Sequence, residues 1–468
     1  MNVSIRRVFR CDAAIMLRAG VLRGGVLRAG VLRGGVIALL LAGMPKPACA
    51  QAVDAAMLGE RDTVWQERDV IAAALHANPG LAASRARVDV MQARAVKAGA
   101  WPAPTVSFEF YNTPITSLDP LRDGLENDYA IQQMIPLSGM PGLVRDMAAA
   151  QARMEYSSVH VRERDLVRDL RTDIAMLMAA RGQRRINAEN HALLEQILRS
   201  VEAAYAVGRA SQADVMRLRV EIERSISERL ALEDDVTRAE AMINGRLNRP
   251  ANASVPAVTQ EELSALRIPD VHAPANAAAN AAANADVGRS ELRMMEAEAD
   301  MARVQATLAG RAWVPELMLR GMYKEMTMGM PDSWALMIGL SIPFAPWAQP
   351  AVRGAREEAE ALRREVDLRT QDMRRMIEMQ RREARSRAAA LRARHARYAT
   401  DLLPASSQAV TAGLEAFGSG TGNFTSLLDA ARMHTMLRME EVMLEAEFRS
   451  AHAALRWAEG EDHEEMKK

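Results

Sequence analysis

The sequence predicts a mainly α-helical protein with additional membrane β-strands, built from two copies of one helix–strand–strand–helix unit. Three observations support this fold class. Landmark residues recur in the same order about 212 residues apart, short strand-like segments follow Trp-Pro pairs, and two very long stretches have helical patterning. Long helices are therefore expected beside a small number of strands.

The first fifty residues have the pattern of a secretory signal peptide. Three arginines lie within the first ten residues, an apolar run spans 36–44, and Ala48-Cys49-Ala50 supplies small residues for cleavage. We expect cleavage after Ala50. Lipidation of Cys49 is the alternative for this segment.

Composition excludes several classes of function. Cys11 and Cys49 are the two cysteines and both lie in the signal, so the mature chain should have no disulfide, thiolate metal site or cysteine nucleophile. Residues 51–468 hold 52 basic and 59 acidic residues, a net charge of −7, which disfavours a nucleic-acid partner. Glycine-rich phosphate loops, HExxH and GxSxG are absent, so no catalytic residue, cofactor or enzymatic activity is predicted.

The repeats define the domain organisation. Their matched landmarks are Trp101-Pro102 and Trp313-Val314-Pro315, Tyr111 and Tyr323, Ile135-Pro136 and Ile342-Pro343, and Tyr205 to Gly208 and Phe417 to Gly420. We assign 51–247 to the first repeat, 248–284 to an Ala/Asn-rich linker, 285–458 to the second repeat and 459–468 to a charged tail.

Each repeat should contain one helix, two strands, a very long helix and a return helix. In the first these are about Glu67–Gly99, Pro104–Thr113, Tyr129–Ile135, Gly142–Ala204 and Ser211–Leu247. In the second they are about Asp286–Ala309, Glu316–Glu325, Trp334–Ile342, Ala351–Ala416 and Asn423–Trp457. The long helices have a coiled-coil rhythm with alanine-rich seams and would each span about 95–100 Å.

No run of about 18 uncharged apolar residues follows the signal, so a membrane role would have to come from strands closed into a barrel. Four strands per chain are too few, because about eight are the minimum for closure. The sequence therefore predicts an oligomer that shares one barrel.

From about Glu67 to Trp457 the chain resembles the TolC family of outer-membrane efflux proteins. The duplicated units, the Trp-Pro pairs, the strand ends at Ile135-Pro136 and Ile342-Pro343-Phe344, and the turn sequences carry this resemblance. The stretches Gln133–Gly139 and Met322–Met326 are similar to the heavy-metal (CzcC/CusC-like) branch.

The resemblance implies a homotrimer whose chains pool four strands each into a 12-stranded barrel in the outer-membrane lipid. The helices would form a coiled-coil helical barrel in the periplasm, and the turns would meet a periplasmic adaptor protein and an inner-membrane RND-type pump. The leading hypothesis is export of Cu/Ag or Co/Zn/Cd cations. A channel for drug efflux or type I protein secretion is the second, and a soluble periplasmic coiled-coil adaptor is the third.

The turns between long and return helices are the predicted adaptor contacts. By resemblance these are Tyr205, Gly208, Phe417, Gly420 and Gly422. Sharp turns need residues that tolerate positive φ, and Gly208, Gly418, Gly420 and Gly422 are the candidates. Ser211 and Asn423 are suitable N-caps.

The predicted pore aperture contains Asp429, Arg217 and Asp214. The resemblance places Asp429 where the family carries acids that face the pore, and in a trimer it would form a ring of three carboxylates. Arg217 and Arg219 could pair with it. Two residues depart from the family pattern: Ser426 stands where many members carry a second acid, and Gly422 stands where some carry a base.

No metal site is assigned. Met326, Met328 and Met330 cluster in the second strand loop, and thioethers suit Cu(I) and Ag(I), but methionine is also a common core filler. His463 in the acidic tail is the weakest candidate for ion contact.

Overall fold

The computed structural model describes residues 64–111, 113–116, 119–269, 289–326, 331–343 and 345–460. The predicted signal peptide with Cys49, the Ala/Asn-rich part of the linker, Met328, Met330, Phe344 and His463 lie outside the described residues. The chain divides into two compact units, Met1–Ala52 and Val53–Lys468, and every described residue belongs to the second.

The elements of the first copy are β1 (Val64–Gln66), α1 (Glu67–Ala77), α2 (Pro79–Ala98), β2 (Thr105–Tyr111), α3 (Pro120–Asp123), β3 (Glu126–Ile135), α4 (Met140–Ala206) and α5 (Gln212–Arg246). This copy has the predicted elements in the predicted order, and β1 and α3 in addition. Helix α4 has 67 residues, which corresponds to about 100 Å.

The predicted single helix Glu67–Gly99 is wrong at one point, because it breaks between Ala77 and Pro79. The Asn78 side chain accepts a hydrogen bond from the Leu81 amide at 3.1 Å and so caps α2. Pro79 occupies the first helical position, where its missing N–H leaves no bond unmade.

The second copy repeats the order. Its elements are β4 (Ala257–Thr259), α6 (Ser290–Arg311), β5 (Leu317–Met326), β6 (Ser333–Leu340), α7 (Gln349–Arg397), α8 (Leu403–Ser419) and α9 (Phe424–Glu459). The predicted continuous helix Ala351–Ala416 is interrupted by a π-helical turn, Tyr398–Leu402. Proline lacks an amide donor and its ring collides with the carbonyl four residues earlier, so the wider turn immediately before Pro404 relieves the clash.

In each copy the start of a short helix meets the end of the return helix. The Asn78 Nδ2 donates to the Arg246 carbonyl at 3.1 Å, and the Arg289 Nη1 donates to the Ala458 carbonyl at 3.0 Å. Helices α2, α5, α6 and α9 all pack on α4, while α6 and α9 also pack on α7. The repeat seen in the sequence is therefore a repeat of packing.

The four long strands form one antiparallel sheet in the order β2-β3-β5-β6. The two copies join at its centre, where Tyr129 lies opposite Tyr323 and Ile131 opposite Gly321. Strands β2 and β6 are left as the two edges.

Part of the predicted linker is packed structure. Strand β4 pairs in parallel with β1, with Trp65 opposite Val258. Val255 and Val258 are buried with Trp65 in the core around α4, and Leu266 is buried against α7 and α9. The prediction of a linker over 248–284 did not include this strand or these buried residues.

None of the described helices is long and apolar enough to cross a membrane.

Candidate functional site at the sheet and the helical turns

One face of the four-stranded sheet is apolar and exposed. Its side chains stand between 40% and 78% exposed and come from all four strands: Val106, Phe108, Phe110, Ile131, Tyr323, Trp334, Leu336, Ile338 and Leu340. One register row, Phe108, Tyr129, Tyr323 and Trp334, is aromatic throughout. A contiguous apolar surface of this kind requires a nonaqueous neighbour.

The opposite face of the same sheet carries charge. Arg320 Nη2 lies 2.6 Å from Glu109 Oε1, and Lys324 Nζ lies 3.3 Å from Asp128 Oδ2 and also contacts Glu126. Successive strand residues point to opposite faces, so the two chemistries alternate along each strand. This pattern is typical of membrane strands around an aqueous interior.

Exposed tryptophans mark the end of the sheet nearest the helices. Trp101, Trp313 and Trp347 flank the junctions between strands and helices and are 63%, 54% and 85% exposed. Trp334 and Tyr323 lie towards the loop end of the strands. Aromatic side chains with one polar edge concentrate at the two water–lipid boundaries of a membrane.

The first helical turn has the predicted capping chemistry. Gly208 has a φ of 77°, and the Arg209 amide donates to the Ala204 carbonyl at 2.7 Å. Ser211 and Asp214 form a capping box, in which Asp214 Oδ2 accepts from the Ser211 amide at 3.1 Å. The carboxylate of the predicted aperture residue Asp214 is therefore engaged in its own helix terminus.

The second turn uses one positive-φ glycine. Gly420 has a φ of 81°, and Asn423 accepts from the Ser426 amide at 2.8 Å as the N-cap of α9. The expectation of positive φ at Gly418 and Gly422 is wrong, since neither is among the described residues with that conformation. Gly422 is required for space instead, because a Cβ there would lie 2.8 Å from the Ala416 Cβ.

Both turns share one core. Leu194, Ile197 and Val201 of α4 pack with residues from the start of α5 and of α9: Val215, Leu218, Phe424, Leu427, Leu428 and Ala431. Phe417 packs against it, whereas Tyr205 remains 49% exposed. The turns are thus held side by side on a rigid base.

Asp429 lies on the exposed surface between the return helices. Its side chain is 71% exposed, and its closest cation is Arg432 of its own helix at 3.8 Å. Arg432 is itself held by Glu221 at 2.6 Å, and Arg219 pairs with Glu202 at 3.0 Å. Within one chain Arg219 is therefore engaged by Glu202, and its pairing with an Asp429 ring in a trimer stays a prediction. Arg217 lines the same groove as Asp429.

Residues 70–248 match the family model described as "Outer membrane efflux protein", and this range runs from α1 through the end of α5. Over this segment the chain is similar to the outer membrane efflux protein family. No curated protein sequence matches the chain.

Solved structures share the fold of this chain over 84% of its length. CusC is 14% identical with a TM-score of 0.71 and 92% of its chain covered. A membrane protein from Pseudomonas aeruginosa is 16% identical (TM-score 0.70, 93% covered). The Campylobacter jejuni CmeC outer membrane channel is 12% identical (TM-score 0.68, 85% covered).

Sequence reasoning missed a buried arginine cluster at the end of α9. Arg164 and Arg289 are each 2% exposed and lie over the Trp457 ring, 5.5 and 5.6 Å from its centroid. Arg164 reaches Glu291 at 3.0 Å, and burial lowers the pKa of Arg289. Composition contains no signal that separates Arg164 and Arg289 from the exposed arginines of the other helices.

Proposed function

We propose that this chain is the outer-membrane channel subunit of a tripartite efflux system and that three copies pool their strands into one 12-stranded barrel. The observation that carries the proposal is the four-stranded sheet. It has an exposed apolar face, a charged opposite face and two edges, β2 and β6, that have no partner strand among the described residues. In lipid every backbone group must find a partner, so those edges require neighbouring chains.

The partners follow from the same arrangement. The strands occupy the outer membrane, and the roughly 100 Å helices extend into the periplasm. There the turns around Tyr205, Gly208, Phe417, Gly420 and Gly422 contact a periplasmic adaptor protein, which connects the channel to an inner-membrane RND-type pump. The rigid core shared by the two turns supports this role, because a docking surface benefits from preorganisation.

The proposed aperture is a ring of three Asp429 carboxylates. The exposure of Asp429 supports this role, because its one neighbouring cation within the described residues, Arg432, lies 3.8 Å away. In a trimer the three Asp429 carboxylates would repel one another. Arg217, which lines the same groove as Asp429, is a candidate for modulating the ring. Asp214 contributes by fixing the start of α5.

For the cargo, we propose heavy-metal cations. The strand sequences Gln133–Gly139 and Met322–Met326 support this branch of the family over a drug or protein channel. The solved structures of similar fold include CusC, OprN, VceC, CmeC and MtrE. Their shared fold supports a channel whose cargo is chosen by its pump.

A deletion strain tests function and cargo together. Tolerance to copper, silver, zinc, cobalt and cadmium should fall at least severalfold and return with the intact gene. Loss of tolerance to drugs alone, with metals unaffected, would overturn the metal cargo and retain the channel. Recovery of the protein in the soluble periplasmic fraction would overturn the channel and favour the adaptor.

A further inference from the structure

One cluster of metal-ligating side chains lies away from the sheet and the turns. His395 of α7 faces Glu441 and Glu445 of α9, and one potential ligand atom from each lies within 4.8 Å of the others. Glu441 and Glu445 are one helical turn apart and so project from the same face. This is the one such group of three among the described residues.

The distances suit a small divalent cation. His395 Nε2 lies 3.3 Å from Glu441 Oε1. Ligand atoms bound tetrahedrally at about 2.0–2.1 Å are about 3.3 Å apart, so this pair already has the spacing of two zinc ligands. The Glu445 carboxylate lies within 4.8 Å of the other two ligand atoms, so it needs a shift of at most about 1.5 Å. A glutamate side chain that is 31% exposed can make this shift by rotamer adjustment.

The contact between His395 and Glu441 is not a well-formed hydrogen bond. His395 Nε2 is shielded from solvent and, within the described part of the chain, has no hydrogen-bond partner despite the short distance to the carboxylate. Buried imidazole nitrogens normally have a partner. A cation between the His395 imidazole and the Glu441 carboxylate would supply each of them with a partner.

The surrounding structure holds the three ligands in place. Tyr398, the first residue of the π-helical turn, donates to Glu440 Oε2 at 2.8 Å and ties the end of α7 to α9. Leu391 and Leu444 are buried beside the cluster. Arg449 contacts Glu445 Oε1 at 3.0 Å, which leaves the second oxygen of that carboxylate for a metal.

We propose that His395, Glu441 and Glu445 form a divalent-cation site that fastens α7 to α9 beside the π-helical turn. One imidazole and two carboxylates suit Zn²⁺ or Co²⁺ better than Cu(I), which prefers sulfur. Three protein ligands leave a fourth position for water. The site does not depend on which solute the channel exports.

The test is a metal titration of the purified full-length protein in mild detergent with Zn²⁺, and with Co²⁺ followed by its visible absorption. One ion should bind per chain, and His395→Gln and Glu441→Gln should each weaken binding at least about tenfold. Zn²⁺ should also raise the Tm of the wild type and leave that of His395→Gln unchanged.

His191→Gln is the matched control. His191 Nε2 lies 3.5 Å from the carboxylate of Glu195. The substitution therefore removes a histidine–glutamate pair that lacks a third ligand. Ions held elsewhere, including at His463, contribute equally to all variants. Equal affinity and stoichiometry in the wild type and His395→Gln, or an equal loss in His191→Gln, would overturn the proposal. These readouts need no transport, so they are independent of the channel assignment.

Discussion

At the scale of single residues, two aspartates of the predicted aperture have different environments. Asp214 is bound by the backbone and side chain of Ser211 in a capping box. Asp429 is 71% exposed, with Arg432 3.8 Å away. Helix capping alone explains why an aspartate is present at position 214. Asp429 caps no helix and makes no comparable hydrogen bond among the described residues.

Asp429→Ala should therefore change permeation and leave the fold intact. Removing a ring of three carboxylates should raise single-channel conductance by about twofold or more and lower cation preference. Planar-bilayer recording measures both. Asp234→Ala is the control, since Asp234 is an exposed acid on α5 paired with Arg238 within its own helix. Unchanged conductance in Asp429→Ala would contradict the aperture role.

His452 should make stability depend on pH. Burial lowers its pKa, as do the charges of Arg456 and Arg171, so the unfolded chain takes up a proton more readily than the folded one. The contribution of neutral His452 to the free energy of unfolding is complete above pH 6.5, the ordinary pKa of histidine. This contribution is lost as the pH falls through the lowered pKa of the folded state. Melting curves of the wild type and His452→Gln between pH 7.5 and 5 should converge at the acid end. Parallel curves would show that His452 contributes nothing.

At the scale of elements, the glycines of the second turn show what sequence can and cannot predict. The run Gly418 to Gly422 indicated a turn, and the structure has one there. The sequence could not show which glycine adopts positive φ, because this depends on where α8 ends. Gly420 follows that end, Gly418 lies inside the helix, and Gly422 faces Ala416.

Substitutions at Gly420 and Gly418 should have opposite signs. Gly420→Ala forces a Cβ into left-handed backbone and should destabilise the turn by about 1–2 kcal/mol. Gly418→Ala meets open space in a helix and should be neutral or stabilising by up to about 1 kcal/mol. Amide hydrogen exchange at Gly420 and Thr421 measures local opening. Equal protection in both variants would show that the φ assignment is wrong.

The strands show a similar division between what was and was not predictable. Turn formers and Trp-Pro pairs placed all four strands to within about three residues. The alternation of apolar and polar residues along the strands was obscured in the sequence, because the charged face includes Met318 and Met322 beside Arg320 and Lys324. The pairing of β3 with β5 was also hidden, since nothing local specifies contact between the copies.

Neighbouring residues of β2 test the two faces. Phe108→Arg places a charge on the exposed apolar face and should cost about 2–4 kcal/mol in lipid. Ser107→Arg places the same side chain on the charged face, two residues from Glu109, and should be tolerated. Urea unfolding from lipid vesicles gives the difference. Equal destabilisation would remove the evidence for a lipid-facing surface.

At the scale of the whole molecule, duplication explains why one chain is incomplete. Two hairpins, one from each copy, join into a sheet of four strands whose edges, β2 and β6, have no partner within the described residues. The long helices, their caps and the turns could be predicted because each depends on local sequence. The buried Arg164 and Arg289 could not, since their environment is created by α4, α6 and α9 meeting at Trp457.

Subunit stoichiometry is the decisive measurement for a barrel shared between chains. Native mass spectrometry of the mature protein, released from outer membranes in mild detergent that preserves porin trimers, counts the chains in each particle. Because β6 of one chain must pair with β2 of the next until the sheet closes, we expect a species of three chains. A stable monomer under those conditions would contradict it.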